Sequence, residues 1–80
     1  MKTIHELTFV RRCPENDGVD QYELSIETGA LVKVEQILAV IDALPKRAFQ
    51  EELTPMIAHK LGGRVTTVGY HAGVKTTCRA

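Results

Sequence analysis

Apolar and polar residues alternate most cleanly between Gln21 and Glu27. Tyr22, Leu24 and Ile26 are interleaved with Gln21, Glu23, Ser25 and Glu27. A period of two predicts a strand with one apolar face and one face turned to water or to a polar cavity. The segment before it, Thr3 to Arg12, also reads as a strand, because Thr8, Phe9 and Val10 favour extended backbone. Its alternation is weaker, with Leu7 and Phe9 on one face and Ile4 and Val10 on the other. Cys13 to Gly18 lies between them and holds Pro14, Asn16, Asp17 and Gly18, all turn formers. The two strands are therefore expected to form a hairpin.

After Gly29 the period changes. Val34, Ile37, Leu38, Ile41 and Leu44 form a helical stripe over about Val32 to Leu44. Pro45 ends that helix, since it has no N–H and restricts the residue before it. A second stripe of Phe49, Leu53, Met56, Ile57 and Leu61 predicts a helix from Arg47 or Ala48 to Leu61, closed by Gly62-Gly63. Pro55 falls inside it. An interior proline costs about 3 kcal/mol, so a kinked or two-part helix is expected. Val65 to His71 and Val74 to Arg79 are rich in valine and threonine and flank Ala72-Gly73, which predicts a second hairpin. The order is ββααββ. The expected fold is α+β: one domain over residues 1–80, a four-stranded antiparallel sheet with both helices on one face. A ferredoxin-like arrangement ranks lower, because it separates its helices with strands.

Composition narrows the function. The 80 residues allow a single core. Ten basic and ten acidic residues cancel. No basic excess is available to meet phosphates, so a nucleic-acid partner is not expected. No apolar run approaches the roughly 20 residues needed to cross a bilayer, so no membrane partner is expected. The start, Met1 to Glu6, lacks a signal-peptide core, and a cytoplasmic location is the expectation. Two cysteines, Cys13 and Cys78, are too few for a disulfide framework and are expected as thiols, Cys78 packed in a strand. Three histidines and two cysteines show no close ligand spacing, so no metal is expected.

Candidate chemistry centres on Glu51 and His71. Glu51 lies off the middle of the second helical stripe. It is either a solvated acid in a first turn, where negative charge is favoured, or a carboxylate that accepts two N–H donors from a planar heterocycle. Glu52 competes for that role. His71, at the last hairpin turn, is either a polar turn residue or an acid–base group suited to neutral pH. Tyr70 either stacks on a flat ligand or fills a sheet face. Gly69 permits close backbone approach or marks a bulge.

The element order and the acidic helix together resemble the tunnelling fold of dihydroneopterin aldolase, GTP cyclohydrolase I, pyruvoyl-tetrahydropterin synthase and urate oxidase. Glu51-x-Leu53-x-x-x-Ile57-Ala58 resembles the anchor helix of the aldolase and the cyclohydrolase, and Gln50-Glu51-Glu52-Leu53-Thr54 is closest to the latter. His71-Ala72-Gly73-Val74-Lys75-Thr76-Thr77 resembles the cyclohydrolase's histidine, Gly-Val and threonine-rich strand, without its zinc-binding cysteine. Where the aldolase has Lys-Pro on the late strand, this chain has Tyr70-His71. The resemblance implies a homo-oligomer that binds a pterin or purine-like ring between subunits. It makes Glu51 the anchor, with Tyr70 or His71 lining the same pocket. It implies His71 as the acid–base group of an aldolase or epimerase step, a lyase reaction of the folate-biosynthesis type, with no cofactor. The competing class is a small non-enzymatic assembly or regulatory protein.

Overall fold

A computed structural model describes all 80 residues. The expected order is found: β1 (Thr3–Arg12), β2 (Val19–Thr28), α1 (Val34–Ala43), α2 (Gln50–Leu61), β3 (Arg64–His71) and β4 (Val74–Arg79). The sheet is antiparallel throughout and runs β1-β2-β3-β4, with both helices inserted between its two hairpins.

Register sets which side chains meet under the helices. Phe9 faces Tyr22, Tyr22 faces Gly69, and Gly69 faces Thr76. One step along, Leu7 faces Leu24, Leu24 faces Thr67, and Thr67 faces Cys78. These rows lie on the helix side because side chains alternate along strands. Tyr22, Leu24, Ile26 and Val65 pack there against Ile37, Ile41, Leu53, Ile57 and Leu61 in one core cluster. Burying such side chains stabilises the fold by about 1.5–3 kcal/mol each.

The helices depart from expectation at their margins. Leu38 was placed on the buried stripe of α1, yet it is half exposed, and Val34 with it. Ile37 and Ile41 carry the burial alone. α2 starts at Gln50, and Phe49 is its N-cap instead of a member of its stripe. The buried face of α2 is Gln50, Leu53, Thr54, Ile57 and Leu61. Glu52 reaches back so that its Oε1 accepts the Phe49 N–H at 3.0 Å, which satisfies a donor that the helix leaves free. Pro55 is accommodated within one continuous helix. It withholds the N–H that would close on the Glu51 carbonyl. At the far end Gly62 takes φ +72° and donates to the Ala58 carbonyl at 2.8 Å, the left-handed stop that glycine allows.

Gly69 is a required void, not a bulge. A Cβ there would lie 2.6 Å from both Cδ1 and Cε1 of Tyr22. Gly69→Ala is expected to destabilise the protein by about 1–3 kcal/mol, the usual cost of overpacking. Urea unfolding checks this, with a lower midpoint at an unchanged slope as the expected result.

Candidate functional site

The end of the sheet where β1 leaves and β2 begins gathers most of the chain's reactive groups on its helix side. Cys13 follows β1 directly and is buried. Asp20 is the second residue of β2 and Tyr22 the fourth. His71 closes β3. Gln50 and Glu51 open α2 above them.

Tyr22 is the hub. It is 1 % exposed. Its ring lies 5.5 Å from that of Phe9 and 6.1 Å from that of His71, both tilted. Burial, followed by the negative charges of Asp20, Cys13 as thiolate and Glu51, pushes its phenol up to about 12. The charges that act on this phenol come from β2, from the β1–β2 loop and from the start of α2.

Two acceptors lie beside it. Oε1 of Gln50 is buried without a hydrogen-bond partner. Oδ2 of Asp20 is buried too and lies 3.3 Å from His71 Nδ1, an ion-pair contact when the imidazole is protonated. A side-chain hydrogen bond with the Asp20 carboxylate is the smallest of the causes that raise the Tyr22 phenol, so the Gln50 oxygen is the acceptor left without a donor. Gln50 cannot resolve its deficit by turning over. Its Nε2 donates to the backbone carbonyls of Thr67 at 3.1 Å and Thr76 at 3.0 Å. Carbonyls only accept, so the amide nitrogen must face them. The same nitrogen meets Thr67 Oγ1 at 3.0 Å. Thr54 Oγ1 joins that hydroxyl at 2.7 Å and donates to the Gln50 carbonyl at 2.8 Å. A buried acceptor without a partner is costly.

The residues singled out from sequence are not all in one place. Glu51 is exposed on the first turn of α2, yet near enough for its charge to raise both the Tyr22 phenol and the Cys78 thiol. For Cys78 burial is the larger cause, and hydrogen bonds from Thr54 and Thr67 oppose it. Glu52 is engaged at the helix start and turns toward the groove between the helices. His71 is half-buried against Asp20 and Tyr22. Tyr70 stands on the opposite, open face of the sheet, with Val19, Gln21 and Val68. Sequence reasoning passed over Cys13, Asp20, Tyr22 and Gln50 as parts of a site. The legible signal for Gln50 was its spacing, four before Thr54 and seven before Ile57 on the buried stripe.

A groove of about 780 Å³ runs between α1 and α2, lined by Val40, Leu44, Pro55 and Met56 among others. It lies apart from the Tyr22 cluster. No group of three or more His, Cys, Asp or Glu side chains is arranged to hold a metal ion. No helix is long and apolar enough to cross a membrane.

No protein-family model matches the chain, and no curated protein matches it. Among solved structures, the apo form of an archaeosine synthase QueF-like superposes with a TM-score of 0.84 at 24% identity, over 99% of this chain and 90% of that one. The likeness is one of fold. It bears out the ββααββ arrangement of one antiparallel sheet and two helices, and singles out neither dihydroneopterin aldolase nor GTP cyclohydrolase I.

The raised Tyr22 phenol has a stability consequence. The unfolded phenol loses its proton near pH 10, whereas the folded one holds it to about 12. The contribution is fully present below pH 10 and is lost as pH rises through about 12. Relative to Tyr22→Phe, the native protein is expected to lose stability across that window, by at most about 1.4 kcal/mol per pH unit. Paired urea titrations from pH 9 to 12 check it, and a difference that does not move with pH contradicts it.

Proposed function

We propose that this protein binds a purine-like heterocycle whose edge offers adjacent N–H donors, at the corner formed by Tyr22, Asp20, Gln50 and Glu51. The observation that carries the reading is the buried, donor-less Oε1 of Gln50 beside a fully buried phenol, with the Asp20 carboxylate next to it. A lactam–amidine edge, as in guanine or a pterin, supplies neighbouring donors to a carboxylate such as that of Glu51. One solved structure that shares the fold is named an archaeosine synthase QueF-like, which is consistent with a purine-like ring. A pterin presents the same edge and is the second ligand to test.

In this reading Glu51 is the anchor, exposed until a ligand or a second copy of the chain covers it. His71, beside Asp20, is the acid–base candidate if the ring is also converted, as in an aldolase or epimerase step. Tyr70 reaches the ligand only if the pocket extends across a sheet edge shared with a second copy. β1 and β4 are both free edges of the sheet, and pairing between copies would protect them. A homo-oligomer with its ligand between subunits follows. The apolar groove between α1 and α2 favours a second reading, a non-enzymatic assembly or regulatory protein that holds a partner there.

Calorimetric titration with guanine and neopterin separates the two. Saturable binding is expected for the native protein, weakened about tenfold or more by Glu51→Gln, as for loss of a charge-assisted hydrogen bond. Light scattering in parallel is expected to give a mass above that of one chain. No binding of either ring by an assembled protein would leave the assembly reading.

A further inference from the structure

We propose that the Asp17–Arg47 ion pair is a positioning contact that sets the separation between the Cys13–Asp20 side of the Tyr22 cluster and its Gln50–Glu51 side. The inference rests on the ring-binding reading of that cluster.

The two sides come from different parts of the chain. Cys13 and Asp20 flank the β1–β2 loop, whereas Gln50 and Glu51 follow the α1–α2 linker. The backbones of loop and linker touch at one place. Arg12 N donates to the Lys46 carbonyl at 3.0 Å and Ala48 N donates to the Arg12 carbonyl at 3.2 Å, a parallel bridge between Arg12 and Arg47. Cys13 is the next residue on one side of this tie, and Gln50 lies two residues beyond Ala48 on the other.

Side chains then lock the tie. Arg47 donates to Asp17 Oδ1, at the tip of the loop. Arg12 Nη1 donates to the Asp17 carbonyl at 3.2 Å. Arg11 Nε donates to the Pro45 carbonyl at 2.9 Å, and its Nη2 donates to that of Ile41. Within the loop, Cys13 N donates to the Gly18 carbonyl at 2.8 Å and Asp17 N to the Cys13 carbonyl at 2.9 Å. Asp17 holds φ +59°, a left-handed conformation that aspartate tolerates better than most residues. The loop is thus a closed unit, and Arg47 is the one linker side chain that grips its tip.

An exposed ion pair contributes little to global stability. Both partners here are more than half exposed. Its effect is expected in the geometry of the loop, at whose start the Cys13 thiol is buried.

Alkylation by iodoacetamide, followed residue by residue by mass spectrometry, tests this with Cys78 as the internal control. Local release exposes Cys13 alone, whereas global opening exposes both thiols. Arg47→Ala is expected to speed alkylation of Cys13 about fivefold or more while Cys78 is unchanged. Arg47→Lys, which retains the charge, is expected to restore most of the protection. Guanine affinity should fall in Arg47→Ala and recover in Arg47→Lys. An unchanged Cys13 rate, or a parallel rise at Cys78, overturns the positioning role. If the native protein binds no guanine, the ring-binding reading fails, and the ratio of the two thiol rates still decides whether the ion pair positions the loop.

Discussion

The side-chain amide of Gln50 ties three elements together. From the first turn of α2 it holds the backbone of β3 at Thr67 and the backbone of β4 at Thr76. Buried hydrogen bonds of this kind contribute modestly when made and cost more when one partner is lost. Their larger effect is geometric. A helix lying on a sheet can slide or roll while its apolar stripe stays covered, because hydrophobic contact has no direction. An amide held by two fixed carbonyls removes that freedom. It sets the rotation of α2 and therefore the direction in which Glu51, the next residue, leaves the helix.

The same tie creates the electrostatic character of the corner below it. With its nitrogen committed to carbonyls, Gln50 presents only its oxygen to Tyr22 and Gly69. Asp20 presents another oxygen from β2, and the charge of Glu51 acts on the same phenol. A chain with equal numbers of acidic and basic residues has thereby concentrated acceptors in one place. The arginines nearest in sequence, Arg11, Arg12 and Arg47, do not neutralise it, because their guanidinium groups bond to carbonyls and to Asp17 at the other side of the loop.

Much of the fold was legible because the strands obey a simple period. The alternation of Tyr22, Leu24 and Ile26 against charged neighbours fixes the inner face of β2, and turn residues mark both hairpins. The margins of the helices were less legible. Phe49 is apolar and was assigned to the stripe, yet it caps α2, and Gln50 takes the buried position beside it. A polar residue on a buried face is justified only by its partners. Those partners, the Thr67 and Thr76 carbonyls, lie 17 and 26 residues away. The candidate site shows the same limit. Glu51 and His71 were conspicuous by type, and Asp20 shares a face of β2 with Tyr22 by the period of two, but His71 comes beside them only through sheet register. Tyr70 and His71, adjacent on β3, point to opposite faces because side chains alternate along a strand.

Pro55 gives α2 one further property. The Glu51 carbonyl, deprived of its donor four residues on, has to be served from outside the helical ladder. A main-chain oxygen without its helical donor therefore stands beside the exposed carboxylate of the same residue, and any surface that covers this turn has to bring hydrogen-bond donors for both.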